Sequence, residues 1–285
     1  MNKKKTRVFE QKKVVIIGAT GGLGEAYTKM FLEEGAKVYL GIRSEAKLSK
    51  EVREKIQEGQ ATHGILDVQD VSAIEAFSKE VSDAFGQIDY VINAIGYDVR
   101  KELSEHSNEE IQKSIDINLT AAIYLTKYFL PILKDQKGST IVHMGGFVDG
   151  ALAFPFYSAD VASRAGMFSF CESMNRELKQ LQKQCHVTYF CPNPASTKAE
   201  EPYHPIWKEM KTRIDSVEKV AMVLKKTIIK QKKVSIMGGH LQSGFSNLNH
   251  ISTKLSNLLL MNNYTKILHK YLGTKNEDVK KKRDK

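Results

Sequence analysis

The sequence lacks the features that mark secreted, membrane-spanning and repeat proteins. Its three cysteines, Cys171, Cys185 and Cys191, have no CxxC spacing, which indicates buried thiols in a reducing compartment and no metal site. No apolar run approaches the length of a membrane span, and the run at residues 14–17 is too short for a signal peptide. Internal repeats and low-complexity segments are absent. These absences predict a cytoplasmic protein.

The net charge of +10 is concentrated at the two ends of the chain. Residues 1–13 carry six Lys or Arg against one acid, and residues 274–285 carry six against three, so the ends hold eight of the ten excess charges. The body is nearly balanced, which argues against a nucleic-acid partner. We expect residues 1–12 and 274–285 to be solvated basic tails.

Short apolar runs alternate with amphipathic segments through most of the chain. The runs read KVVII, AKVYLGI, ATHGIL, DYVIN, GSTIVHM, CHVTYFC and VSIM, and helix-length segments separate most of them. Strands that are apolar throughout are typical of a parallel sheet covered by helices on both faces. The sequence therefore predicts an α/β fold of the Rossmann type over residues 13–238, with a doubly wound parallel sheet of about seven strands.

Residues 239–273 have a different texture and predict a helical extension. Their apolar side chains recur at roughly helical spacing, with lysines on the opposite side; the apolar set is Leu241, Phe245, Leu248, Leu255, Leu259, Ile267, Leu268 and Tyr271. One interpretation is that these helices pack on the domain or on a second subunit. The other is an amphipathic helix that lies on a membrane surface.

A glycine-rich segment, IIGATGGLGEA, follows the first predicted strand and leads into the first helix. It places Gly18, Gly22 and Gly24 in GxxxGxG spacing. Glycines at this point let the backbone turn tightly and approach a pyrophosphate, whose charge the helix N-terminus stabilises. The position after a strand strengthens this interpretation.

Together with further motifs in the same order, this segment resembles the short-chain dehydrogenase/reductase family over roughly residues 12–238. The matching segments are LDVQD, NAIG, DINLTA and PNPAST, the last with Asn193 in place of a glycine. The resemblance implies hydride transfer between a nicotinamide cofactor and a carbonyl/alcohol pair, and a homo-oligomer. It assigns to the cofactor Gly18, Gly22, Leu23, Gly24, Asp67, Val68, Asn93, Ala94, Gly96, Pro192 and Thr197, and it assigns Asn118 to the active site.

Cofactor choice is predicted from the end of the second strand, YLGIRS. An acidic residue there accepts from the ribose of NAD, whereas an arginine suits the 2′-phosphate of NADP. Gly41 stands where we expect the acid, and Arg43 and Ser44 follow. We therefore expect NADP(H) in preference to NAD(H). The competing interpretation is that Arg43 is a solvent-facing residue at the start of a helix.

The catalytic end departs from the family's pattern of serine, tyrosine and lysine. The segment ASRAGMFSFCESMNREL aligns with the family's helix so that Asp160 takes the tyrosine position and Arg164 the lysine position. Gly145 and Gly146 stand where the family has a serine pair. An aspartate, with a reference pKa of about 3.9, is an anion near neutrality with no proton to donate, and the i, i+4 spacing of Asp160 from Arg164 predicts an ion pair.

Tyr157 is an alternative acid, because it precedes Arg164 by seven residues, and the other interpretation makes it an apolar wall residue. His143, in a strand interior, is interpreted as a packed core histidine. The segment KAEEPYHPIWKEMKTRI predicts either a lid over the substrate or a surface helix packed on a neighbour. Its apolar residues, with those near Tyr157, suggest a small hydrophobic ligand; they are Phe147, Phe154, Phe156, Tyr203, Ile206, Trp207 and Met210.

Two functions compete on these residues. The first is an NADP(H)-dependent oxidoreductase with an atypical active site formed by Asn118, Tyr157, Asp160 and Arg164. The second is a non-catalytic cofactor-binding protein that acts as a sensor, scaffold or partner. Contact of the C-terminal residues with a membrane surface is compatible with either.

Overall fold

A computed structural model of the chain describes residues 7–146, 153–238, 248 and 251–273. Seven parallel strands form one sheet in the order β3-β2-β1-β4-β5-β6-β7. They are β1 (Lys13–Ile17), β2 (Lys37–Ile42), β3 (Ala61–Ile65), β4 (Tyr90–Asn93), β5 (Thr140–Met144), β6 (His186–Cys191) and β7 (Val234–Ile236). The predicted doubly wound sheet is confirmed.

Helices cover both faces of the sheet. They are α1 (Gly22–Glu33), α2 (Lys50–Gln57), α3 (Val71–Phe85), α4 (Asn108–Ile115), α5 (Ala121–Phe129), α6 (Ser158–Gln180), α7 (His204–Glu209), α8 (Val217–Ile229), α9 (Thr253–Ser256) and α10 (Asn262–Leu272). One core joins α1, α2 and α8 to the sheet, and the other joins α3, α5 and α6 to its opposite face. The apolar strands are buried from both sides for this reason.

The segment before β1 does not behave as a solvated tail from residue 7 onward. Phe9 is 1% exposed and packs against Phe31, with ring centroids 4.9 Å apart, and against Tyr90 at 5.5 Å. Lys12 also bonds the buried Asp89 at 3.0 Å. The expected tail at residues 1–12 is therefore corrected for 7–12, because one buried aromatic holds that segment on the domain. Residues 1–6 and the expected tail at 274–285 lie outside the described residues.

The described part of the C-terminal extension packs back on the domain. Together, α9, a π-helical turn (Asn257–Met261) and α10 bring Met261 and Leu268 against Trp207 of α7 and Phe154. Residues 239–247 and 249–250, with Leu241 and Phe245, are outside the described residues, as is Phe147. Among the described helices, none is long and apolar enough to cross a bilayer.

Candidate active site

A cleft of about 1450 Å³ opens at the carboxyl ends of the strands. It lies where the strand order reverses, because β2 and β4 flank β1 on opposite sides. Doubly wound sheets bind ligands at this switch point. The cleft is lined by the glycine turn, the ends of β4, β5 and β6, the start of α6 and the segment that leads into α7.

The glycine turn requires its glycines. Gly18 has φ +80°, and a Cβ there would lie 2.7 Å from Cγ2 of Ile95. A Cβ on Gly22 would lie 2.7 Å from Cγ2 of Thr197, and one on Gly24 would collide with the Gly18 carbonyl. The N-cap of α1 is Gly21, which provides no side-chain cap, so this helix end presents its first amides to the cleft. Leu23 lines the cleft beside it.

On the adenosine side, the structure corrects which residue ends β2 toward the cofactor. A Cβ on Gly41 would lie 3.1 Å from Phe77 and 3.2 Å from Leu66, on the face opposite the glycine turn. Ile42 instead belongs to the cluster that packs with α1. Gly41 is therefore not the position of an acid, since side chains alternate along a strand. The position that faces the glycine turn holds Ile42, which is apolar.

The remaining predicted adenosine-side residues lie near the surface. Arg43 is exposed, and within the described chain it makes no hydrogen bond or ion pair. The Ser44 hydroxyl accepts from the amide of Ala46 at 3.3 Å, so it caps a short turn. Asp67 is exposed and accepts from the amide of Gln69 at 3.1 Å. Val68 beside it is half-buried.

The NAIG turn after β4 is held by a buried polar network. The Asn93 amide lies 3.1 Å from Nδ1 of His143, whose Nε2 lies 2.8 Å from the Thr126 hydroxyl. Burial lowers the pKa of His143 to about 3, so this ring is a neutral core residue and the interpretation of His143 is confirmed. Asn93 is buried and positions the turn, whereas Ala94 and Gly96 line the cleft.

Asn118 sits on a π-helical turn (Asp116–Thr120) between α4 and α5. Such turns recur at functional sites because they redirect a side chain out of the helical ladder. The Asn118 carbonyl accepts from the amide of Tyr97 at 2.8 Å, and its amide donates to the Tyr97 carbonyl at 2.8 Å. The same amide reaches Oδ1 of Asp160 at 3.2 Å and the Ser163 hydroxyl at 3.1 Å. Asn118 thus ties the NAIG segment to α6.

Asp160 and Arg164 form the predicted ion pair, with Nε of Arg164 3.2 Å from Oδ1 of Asp160. Each residue is 8% exposed and lines the cleft. Arg164 also donates to the Met144 carbonyl at 2.6 Å. Its Nη2 approaches Gly96 so closely that a Cβ there would lie 2.7 Å away. The side chain of Arg164, which is longer than the lysine that the family has at this position, therefore extends across the floor of the cleft to the NAIG turn.

Burial changes the acid strength expected of Asp160. Removal from water raises the pKa of this carboxyl to about 6, against the opposing pull of Arg164. Asp160 therefore remains mostly an anion near neutrality, but it takes up a proton at a higher pH than the reference value of about 3.9 implies. A Cβ on Gly146 would lie 3.4 Å from Oδ2 of Asp160 and 3.3 Å from Cγ of Arg164. The pair thus crowds the place of the family's serine.

Tyr157 forms the N-cap of α6 and is 5% exposed. Its hydroxyl is buried without a hydrogen-bond partner among the described residues. Burial raises the pKa of this phenol far above its ordinary value of about 10. The ring packs near Phe154 and under the Arg100 guanidinium. Both alternatives for Tyr157 are therefore present, because it is a wall residue that carries an unused hydroxyl.

The PNPAST segment closes the cleft opposite the glycine turn. Pro192 and Thr197 line the cleft, and the Thr197 methyl group contacts the space above Gly22. Asn193, which replaces a glycine of the family's motif, donates to Oδ2 of Asp215 at 2.8 Å. The side-chain amide of Asn193 therefore fixes the position of Asp215, which lies just before α8.

A cluster around the buried Arg100 lines one end of the cleft, and the sequence did not indicate it. Arg100 donates to both carboxylate oxygens of Glu200, at 2.9 and 2.8 Å, and pairs with Asp98. Its Cζ lies 3.9 Å from the ring centroid of Tyr203. Burial disfavours the charged guanidinium, but Asp98 and Glu200 outweigh this and raise the pKa of Arg100. The cluster joins the segment after β4 to the segment before α7.

The sequence matches the family model described as short chain dehydrogenase over residues 12–205. The chain belongs to the short-chain dehydrogenase family. Members of this family are oxidoreductases that use nicotinamide cofactors.

Proteins similar to this chain are named as oxidoreductases, reductases or dehydrogenases. An uncharacterized oxidoreductase of Staphylococcus saprophyticus is 27% identical over 213 residues, which cover 75% of this chain and 85% of the relative. The ketoacyl reductase HetN of Nostoc is 29% identical over 186 residues, 65% of this chain and 64% of that protein. A mouse dehydrogenase/reductase SDR family member 7B is 31% identical over 173 residues, 59% of this chain and 53% of that one.

A solved structure supports the fold independently. A short chain dehydrogenase/reductase of Burkholderia phymatum in complex with NAD has a TM-score of 0.73 to this chain at 19% identity. The match covers 87% of this chain and 95% of that one. The family's Rossmann-type sheet is therefore shared over nearly the whole of the other protein.

Proposed function

We propose that this short-chain dehydrogenase is an NADP(H)-dependent carbonyl/alcohol oxidoreductase in which Asp160 handles the proton. One observation carries the proposal: Asn118, Asp160 and Arg164 form a connected, buried polar network that lines the cleft. Buried titratable groups with shifted pKa values cluster at catalytic sites. The network stands at the place where the family's resemblance puts the active site.

The residues present fit a dinucleotide. Added Cβ atoms on Gly18 and Gly22 would clash with Ile95 and Thr197, so the tight turn depends on glycine, and the uncapped start of α1 offers amides to a pyrophosphate. Thr197 lies opposite Gly22. The residues that would hold the cofactor are Gly18, Gly22, Leu23, Gly24, Arg43, Ser44, Asp67, Val68, Asn93, Ala94, Gly96, Arg164, Pro192 and Thr197.

The preference for NADP(H) rests on Arg43, which is exposed at the end of β2 with no partner in the described chain, and on apolar Ile42. An unpaired guanidinium is suited to a 2′-phosphate, and an apolar residue offers no acceptor to a ribose hydroxyl. Arg43→Ala should weaken NADPH binding by about tenfold or more and leave NADH binding nearly unchanged. Titration by cofactor fluorescence measures both constants, with Lys50→Ala as the exposed control. Equal losses for the two cofactors would contradict the preference.

In the proposed mechanism, the chain's residues supply and retain the proton. A reduced nicotinamide, when bound, would supply the hydride for the carbonyl carbon. Oδ1 of Asp160 is held by Asn118 and Arg164, so the protonated carboxyl keeps one orientation. Asp160 then gives its proton to the substrate oxygen, and Arg164 stabilises the carboxylate that remains. In the reverse direction the carboxylate accepts the alcohol proton.

The substrate end of the cleft favours an apolar carbonyl compound. Phe154, Val161 and Trp207 line it beside Asp160, and the Arg100 guanidinium is occupied by Glu200. A charged substrate would find no unpaired counterion among these residues, since Arg100 is already neutralised. We therefore expect aromatic or medium-chain aldehydes and ketones to be reduced in preference to keto acids.

Two conservative variants separate the candidate acids. Asp160→Asn keeps the shape of the side chain and removes the proton, so it should lower kcat by about 10²–10⁴. Tyr157→Phe removes a hydroxyl that has no partner in the part of the chain that the structure describes, so it should retain most of the activity. The measurement is NADPH oxidation with an aldehyde and ketone panel, with NADPH affinity and melting temperature as controls. Loss of activity in Tyr157→Phe with retention in Asp160→Asn would assign the proton to Tyr157 instead.

A second function is favoured by the closure of this network on itself. Arg164 is bonded to Asp160 and to the Met144 carbonyl, and the Tyr157 hydroxyl is buried. A non-catalytic protein that binds NADPH as a sensor, scaffold or partner would show this arrangement. NADPH binding without turnover across the panel at any pH would support it, whereas turnover abolished by Asp160→Asn would exclude it.

A further inference from the structure

The C-terminal helices expose large apolar side chains on their outer side. Ile251 is 82% exposed, Leu258 72%, Leu259 57% and Leu255 42%. The three leucines are spaced three and four apart, which places them on one side of a helix, and Ile251 directly precedes the N-cap Ser252. The inner side of the same segment is buried on the domain. Four such side chains close together in the chain form an apolar patch that water does not favour.

The charged side chains of this segment itself are all positive. Residues 239–276 contain no Asp or Glu, while Lys254, Lys266, Lys270 and Lys275 lie among them. Lys254 and Lys266 are exposed on the helices, and Lys270 bonds Glu209 of α7 at 2.8 Å. The last twelve residues add six Lys or Arg against three acids. The end of the chain therefore combines an apolar patch with an excess of positively charged residues.

We propose that residues 251–270 rest on an anionic lipid surface, with Ile251, Leu255, Leu258 and Leu259 inserted among the acyl chains. Interfacial helices combine exposed apolar side chains with lysines that meet lipid phosphates. A second copy of this chain fits the patch less well, because two faces without acidic residues would repel each other. The bilayer supplies both the apolar phase and the negative charge that the patch lacks.

The inner side of this segment also touches the cleft. Tyr264 packs on Phe154 with ring centroids 5.9 Å apart, and Leu268 shares a buried cluster with Trp207. Phe154 and Trp207 line the substrate end. One helical segment therefore presents its outer side to lipid and its inner side to the wall of the cleft. The lipid contact itself is independent of the proposed reaction and can be measured without turnover.

The test is sedimentation of the full chain with phosphatidylcholine vesicles that contain or lack phosphatidylglycerol. The protein should sediment with anionic vesicles and much less with neutral ones, and added salt should release it. The triple variant Ile251→Ser/Leu258→Ser/Leu259→Ser should lower the partition coefficient by about tenfold or more. The matched control is Val8→Ser/Ile65→Ser/Leu181→Ser, which removes apolar side chains that are 45%, 59% and 59% exposed elsewhere on the protein and should bind as the parent does.

A charge variant separates lipid insertion from general stickiness. Lys254→Gln/Lys266→Gln should weaken binding to anionic vesicles, whereas Lys50→Gln/Lys37→Gln should change it less. Unaltered NADPH affinity and melting temperature show that each variant is folded. The proposal is overturned if the protein does not bind anionic vesicles, or if the control triple variant loses as much binding as the Ile251→Ser/Leu258→Ser/Leu259→Ser variant. It is also overturned if sedimentation equilibrium shows a dimer that the serine variant dissociates while vesicles are not bound.

Discussion

Replacement of Arg100 by methionine should destabilise the protein, because it leaves the half-buried Glu200 and the more exposed Asp98 without their shared cation. Arg100 is 7% exposed and bonds Glu200 through two nitrogens at 2.9 and 2.8 Å. Loss of hydrogen bonds to a charged group costs about 1.5–3 kcal/mol of the free energy of unfolding. Since 1 kcal/mol shifts the melting temperature of a large domain by about 2–4 °C, we expect a fall of about 3–12 °C.

The assay is urea unfolding followed by circular dichroism, with thermal melting as a second readout. Arg176→Met is the control, because Arg176 is paired with Glu172 at 3.7 Å and its side chain is 75% exposed. Such a surface pair contributes about 0–1 kcal/mol. The double variant Arg100→Met/Glu200→Gln should recover part of the loss, since one of the stranded charges is removed. If Arg100→Met and Arg176→Met were equally stable, the ion pairs of Arg100 would contribute no more to stability than a surface pair does.

Two further predictions concern Gly96 and Asp89. Gly96→Ala should weaken NADPH binding, because the new Cβ would lie 2.7 Å from Nη2 of Arg164; cofactor titration checks this, and unchanged affinity would contradict it. Asp89→Asn should destabilise the protein at neutral pH and much less below about pH 4. Burial opposes ionisation of Asp89, but the Lys13 amide and Lys134 outweigh it and lower its pKa. The stability that the Asp89 carboxylate contributes is present above its pKa in the unfolded chain and is lost as pH falls through its lower pKa in the folded protein. If the free energies of unfolding of variant and parent ran parallel against pH, this prediction would be refuted.

Most of the fold was predictable from the sequence because each strand is an apolar run. The predicted run KVVII became β1 (Lys13–Ile17), and DYVIN and CHVTYFC each became a strand shortened by one residue. The N-terminal boundary was harder, because a single aromatic, Phe9, in a basic stretch decides that residues 7–12 pack on the domain. Composition over a window does not register one buried side chain.

The site was predictable where a motif is local and was missed where distant segments meet. Asp160 and Arg164 are four residues apart, so their pairing followed from helix geometry. The pKa of Asp160 depends on burial by other elements, which spacing does not reveal. Arg100 and Glu200 are separated by 100 positions in the chain. Gly41 was also predicted on the wrong face of the sheet, because packing against other elements decides which positions of β2 point to each side.

The most direct test of the account is the pH dependence of kcat for NADPH-dependent carbonyl reduction by the parent protein and by Asp160→Asn. If Asp160 donates the proton, the parent's kcat falls as pH rises through about 6, where the carboxyl ionises. The variant should then have a low kcat with no inflection in that range. A parent profile with no inflection near that pH, or a variant that retains the parent's rate, would show that Asp160 does not handle the proton.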